Sequence, residues 1–184
     1  MGLKASETVS LSFADCRIPV ESLLAREGMG FKIAMTELDS GRIGVGAQAV
    51  GIAQGALERS VRYAQERTAF GQPIGEFEAI QWMIAEMATR LEAARLLVHR
   101  AAAMKAAGEP FTRQASTAKL YASEAATFVT HRAIQIHGGY GYTEDYIVER
   151  CYRDARVTEI YEGTSEIQRL VIARAWLREH AVGS

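Results

Sequence analysis

This chain is poor in the residues that usually announce a function. Of its 184 residues only Cys16 and Cys151 are cysteine, too few and too far apart for a disulfide framework. The four histidines, His99, His131, His137 and His180, fall into no CxxC, HxxxH or ExxH spacing, so no zinc or di-iron site is expected and no metal is assigned. No run of 18 apolar residues could cross a membrane, and the first twenty residues lack a signal-peptide core, so no membrane partner is expected. Neither sign of charge is in excess. With 21 Lys and Arg against 22 Asp and Glu, the net charge is −1, which leaves no basic footprint for nucleic acid. Internal repeats and low-complexity tracts are also absent.

What is present is a soluble balance of 48% apolar and 23% charged residues, in a length that can bury one sizeable core. Residues 8–13 (Thr-Val-Ser-Leu-Ser-Phe) alternate polar and apolar, the pattern of a half-buried strand. A lone strand is not stable, so this one would pair with something outside the chain. Asp15 to Glu27, with Pro19, reads as a connector. From Phe31 the period becomes helical: Phe31, Met35, Leu38, Arg42, Val45, Ala49, Ile52, Ala56, Arg59 and Tyr63 recur at steps of four and three, predicting a helix over about 30–66. Gly44, Gly46, Gly51 and Gly55 inside it suit close approach of another backbone or a ligand.

Phe70-Gly-Gln-Pro-Ile-Gly75 breaks that pattern. A second series runs Phe77, Ile80, Ile84, Met87, Leu91, Ala94, Val98, Ala101 and stops near Gly108 and Pro110. A third runs Ala115, Ala118, Ala122, Ala126, Val129, Ala133, Ile136 and stops at Gly138-Gly139. A fourth, shorter series carries Ile167, Leu170, Val171, Arg174 and Leu177, after a Gly- and Tyr-rich loop with one expected helical turn. The fold class is all-α: an antiparallel four-helix bundle over 27–184, preceded over 1–26 by a connector and the remnant strand of a β-domain.

Several polar residues sit where a plain bundle does not need them. Glu162 lies in a short irregular step before the fourth helix, followed by Gly163, and Ser165 with Gln168 has the S-x-x-Q spacing of a capping box. A carboxylate there is near unpaired N–H groups and the positive end of a helix dipole, a setting for an ionised base as well as for an ordinary first-turn acid. Arg42 stands on the apolar stripe three residues from Asp39, either as an i,i+3 pair or as a buried donor at a ligand pocket. Arg67, beside Phe70 and Gly71, either complements a helix C-terminus or offers its fork to a phosphate. Gln135 and the Gly138-Gly139-Tyr-Gly141 turn add amide and backbone donors.

The chain resembles the C-terminal helical domain of the acyl-CoA dehydrogenase family. The matching segments are Gly28-Met-Gly-Phe31, Leu38-Asp-Ser-Gly-Arg42, Gln48-Ala-Val-Gly-Ile-Ala-Gln-Gly55, Glu66-Arg-Thr-Ala-Phe-Gly-Gln-Pro-Ile74, Ala133-Ile-Gln-Ile-His-Gly-Gly-Tyr-Gly-Tyr142, Val148-Glu-Arg150, Arg153-Asp-Ala155 and Tyr161-Glu-Gly-Thr-Ser-Glu-Ile-Gln-Arg169. The resemblance implies FAD-dependent α,β-dehydrogenation of an acyl-CoA thioester, with Glu162 as the base that removes the α-proton. Branches of the family that move the base carry a glutamate at the position of Gly41, so the resemblance is to the short- and medium-chain type.

It further implies that Arg67 and Phe70 meet the pyrophosphate and adenosine side of FAD. Gln135, Ile136, His137, Gly138 and Gly139 would contact the FAD of a neighbouring subunit, and Thr164, Ser165 and Glu166 would line the flavin site. Asp39, Arg42, Tyr161 and Gly163 would line the acyl-CoA site. Glu78 departs from the family, which usually has glutamine there. Implied partners are the acyl-CoA substrate, an electron-transfer flavoprotein as acceptor, and further copies of the chain in a dimer or tetramer. The implied compartment is a bacterial cytoplasm or the mitochondrial matrix. Upstream domains of the family are missing, so Met1 matches an interior position, the M-G-x-x-x-S/T pattern of Met1 to Ser6 is accidental, and the chain alone is expected to be inactive. The alternatives are an acyl-CoA oxidase-like flavoenzyme and a non-catalytic oligomerisation bundle.

Overall fold

A computed structural model describes residues 1–181. Five helices carry the fold: α1 (Gly30–Glu66), α2 (Glu78–Ala106), α3 (Thr112–His137), α4 (Val148–Arg156) and α5 (Ser165–Glu179). Short connectors make α1, α2 and α3 antiparallel neighbours, and α3 is central, packed on the other four. Its inner faces are mostly alanine: Ala115, Ala118, Ala122, Ala125, Ala126 and Ala133 are buried against Ala49, Ala53, Ala56 and Ala64 of α1 and the larger Met87, Leu91 and Val98 of α2. Small side chains let the α1 and α3 backbones come close. A Cβ added at Gly46 would stand 3.0 Å from Val98 Cγ2 and 3.8 Å from the Ala118 carbonyl, so glycine is needed where the three helices meet. Gly44 and Gly51 have nothing within 4 Å and Gly55 meets only the Arg59 side chain, so close approach of another helix explains Gly46 and not the whole series.

The helix stops fall where the sequence put them. Past α2, Gly108 (φ +70) donates to the Lys105 carbonyl and Glu109 to Met104, closing the helix before Pro110. α3 ends at Gly138 (φ +60). Three expectations need correction. Residues 8–13 form no strand and are exposed, and none of the other described residues pairs with their backbone. The sheet among the described residues is instead a hairpin, β1 (Thr68–Ala69) and β2 (Gln72–Pro73), turned by Phe70 (φ +52) and Gly71 (φ +83). The 138–159 loop holds a full helix, α4, and two 3-10 turns rather than one turn. The α1 seam is also shifted: Phe31, Met35 and Arg59 are exposed, whereas Ala53, Ser60 and Ala64 are buried, since it is the small residues that fit against α3.

Candidate active site

The step into α5 is built from two consecutive left-handed residues, Glu162 (φ +54) and Gly163 (φ +88). Glycine accepts this region freely, but for glutamate it costs about 1–2 kcal/mol. The strain is held by side chains. Gln168 Nε2 donates to the Glu162 carbonyl at 3.1 Å and to the Gly163 carbonyl at 2.9 Å, and Lys119 Nζ donates to the Gly163 carbonyl at 2.8 Å. The expected capping box is therefore not formed. Thr164, not Ser165, is the N-cap, and Gln168 turns to carbonyls that the positive-φ step swings back towards the helix. Ser165 is buried, with no partner for its hydroxyl among the described residues, and Glu166 is exposed near Arg169. Its own backbone N–H and the Thr164 hydroxyl hold the Glu166 carboxyl below its ordinary range.

The left-handed step directs the Glu162 side chain across to α1. A Cβ at Gly41 would lie 2.5 Å from Glu162 Oε2 and 3.0 Å from Cδ, so the missing side chain is the space the carboxylate occupies. One residue on, Arg42 is buried and pairs with Asp39 at 2.6 Å while reaching Ser116 Oγ at 3.3 Å. Asp39 also accepts from Thr112 at 2.5 Å. The i,i+3 pair thus forms, and Arg42 Nε remains buried without a partner among the described residues. The Tyr161 hydroxyl donates to Gln48 of α1, and burial raises its pKa although the Gln48 bond opposes the rise.

A second group lies at the other end of α1. Arg67, Tyr63, Ile136, His137, Gly138, Gly139 and Tyr140 line a cleft of about 480 Å³. The His137 ring stacks on Tyr63 with centroids 4.2 Å apart, and its Nδ1 lies 2.8 Å from the Ala133 carbonyl. Burial lowers its pKa, and since a carbonyl oxygen can only accept, Nδ1–H donates to it. The Arg67 guanidinium lies over Tyr140, 5.4 Å from its centroid, and no carboxylate pairs with it among the described residues. A Cβ at Gly138 or Gly139 would meet nothing within 4 Å, so this corner is open. Phe70, 97% exposed at the hairpin tip, and exposed Gln135 stand outside the cleft. Glu78 is exposed in the first turn of α2, where a carboxylate suits the helix dipole.

The expected site residues therefore form two groups, with Gly41 and Tyr63 separated by about 33 Å along α1 at 1.5 Å per residue. Sequence reasoning did not single out Lys119, Gln48, Ser116 or Tyr63 as site residues. Lys119 carries a readable signal: it lies one residue past Ala118 and three before Ala122 in the alanine series of α3.

Residues 28–177 match the family described as acyl-CoA dehydrogenase, C-terminal domain. The chain is 60% identical over 174 residues to an acryloyl-CoA reductase (NADH) of Anaerotignum propionicum, covering 95% of this chain and 44% of that protein. It is 58% identical over 180 residues to a mitochondrial short-chain specific acyl-CoA dehydrogenase of Mus musculus, covering 98% of this chain and 44% of that protein. The solved butyryl-CoA dehydrogenase of Megasphaera elsdenii superposes with a TM-score of 0.89 at 52% identity, over 90% of this chain and 43% of that one. The chain thus spans less than half the length of the curated relatives it matches.

Proposed function

Because the chain belongs to the acyl-CoA dehydrogenase family, as its C-terminal domain, we propose that it supplies the base and part of the FAD site of an enzyme that dehydrogenates short acyl-CoA thioesters. The observation that carries this reading is the Glu162 carboxylate, delivered by a held left-handed step into the space left open at Gly41. Glu162 takes the proton from the α-carbon as the C–H bond breaks, and its own backbone N–H can donate to the thioester oxygen as enolate charge develops. Closing the site over substrate removes water and raises the basicity of the carboxylate. Arg42, Asp39, Tyr161 and Gly163 surround that point and line the acyl-CoA side.

The residues at the second group fit FAD: an Arg67 fork with no carboxylate partner among the described residues, beside the open Gly138–Gly139 corner, can hold a pyrophosphate, and Gln135, Ile136 and His137 are proposed contacts on the resemblance. When bound, FAD supplies the acceptor for the β-hydride. The two groups stand about 33 Å apart along α1 (at 1.5 Å per residue), and the resemblance implies a homo-oligomer in which neighbouring copies share the FAD site. Thr164, Ser165, Glu166 and Phe70 are proposed flavin-site residues on the resemblance alone. An electron-transfer flavoprotein as acceptor, and a bacterial cytoplasm or mitochondrial matrix as compartment, belong to the same proposal.

The test is Glu162→Gln in the complete flavoprotein. FAD and acyl-CoA should still bind while flavin reduction slows by about 10²–10⁴-fold, the usual cost of losing a general base. Reduction at the unmutated rate overturns the assignment. The 60% identity to an acryloyl-CoA reductase favours a second reading, in which protonated Glu162 delivers the α-proton in the reverse direction. Anaerobic mixing separates the two: butyryl-CoA bleaches oxidised flavin in the first, and acryloyl-CoA reoxidises reduced flavin faster in the second.

A further inference from the structure

Lys119 is the largest fully buried side chain among the described residues, set in the alanine-lined N-terminal half of α3. An ammonium group is expensive to bury, and methionine would fill a similar volume without that penalty. Burial pushes the Lys119 pKa down to about 8, against the pull of Glu159, Glu162 and Glu166 and with the push of Arg42, so the group is mainly protonated at neutral pH. Its Nζ donates to the Gly163 carbonyl at 2.8 Å, which also accepts from Gln168 at 2.9 Å. Both lone pairs of that oxygen are then used, and the neighbouring Glu162 carbonyl is held by the same Gln168 amide at 3.1 Å. Gln168 is fully buried too.

From this convergence we propose that Lys119 is a positioning residue for the proton transfer, fixing with Gln168 the Glu162–Gly163 step so that the carboxylate stays over Gly41. Without these donors the Glu162 backbone relaxes out of the left-handed region and the carboxylate leaves the space beside α1. The inference rests on Glu162 being the base.

The experiment is a double-mutant comparison in the complete, FAD-loaded enzyme, reading flavin reduction by butyryl-CoA in a stopped-flow instrument, with FAD content and butyryl-CoA affinity measured alongside. Lys119→Met should slow reduction by at least tenfold, leave FAD content and affinity within threefold, and change the residual rate of Glu162→Gln by less than twofold, because there is no longer a base to position. A Lys119→Met rate within twofold of the unmutated enzyme overturns the proposal. So does an equal slowing in both backgrounds, or a loss confined to FAD content. If Lys119→Met does not fold, Gln168→Met removes the companion bonds to the same carbonyls and takes its place under the same criteria. A Glu162→Gln enzyme that reduces flavin at the full rate overturns the base itself, and is distinguishable because it needs no Lys119 variant.

Discussion

Gly41→Ala should separate stability from activity. Gly41 is inside α1 without a positive φ, so alanine is conformationally easier there and should add up to about 1 kcal/mol to the helix. The added Cβ would meet Glu162 Oε2 at 2.5 Å, whereas ordinary contact begins at 3.4 Å, so the carboxylate must move by about 0.9 Å (3.4 − 2.5). The atom in the way is the end of a flexible side chain, which can swing at small cost to the fold. For a base the same shift is serious: a misplacement near 1 Å can cost on the order of 10²-fold in rate. The expected result is an unchanged or raised melting temperature together with flavin reduction slowed by roughly 10²-fold. Calorimetry and stopped-flow bleaching measure the two. A rate within twofold of the unmutated enzyme would show that the carboxylate's place beside Gly41 has no part in the chemistry.

Arg67→Ala should weaken FAD binding by about 10–150-fold, the equivalent of a charged hydrogen bond worth ~1.5–3 kcal/mol, with little effect on melting because Arg67 is exposed. Unchanged affinity by fluorescence titration would return Arg67 to the helix end alone. Lys119 also sets a pH dependence. Its folded pKa of about 8 lies below the ordinary 10.5, so its charge opposes folding fully below pH 8, and that penalty is relieved as pH rises towards 10.5. Urea midpoints should therefore rise for the unmutated chain relative to Lys119→Met between pH 7.5 and 10; a constant difference would refute the shift.

Helical periodicity made the three long helices readable because each carries an apolar seam, and two of them close on a glycine stop, Gly108 after α2 and Gly138 after α3. It was silent on α4, whose nine residues are mostly charged and bury only Val148, Asp154 and Ala155. Alternation suggested a strand at 8–13, yet alternation states a preference for a pleated surface and supplies no partner. Glu162 was legible from its place before a helix. The direction of its side chain was not, since that depends on two positive φ angles and on Gly41, 121 residues away by subtraction (162 − 41). Gln168 was read as a cap because spacing does not tell whether an amide meets an N–H or a carbonyl. Lys119 was overlooked because lysine in a periodic series is ordinarily taken for a solvated position.

The alanine seam between α1 and α3 has a mechanical consequence. Alanine has no side-chain rotamers, so a strain arriving at one end of this contact cannot be absorbed by repacking there. It must pass on as movement of a whole helix. The α1–α3 pair is therefore expected to move as a unit, keeping the spacing between its carboxylate end and its cleft end. Larger side chains placed in that seam would therefore be accommodated only by separating the two helices.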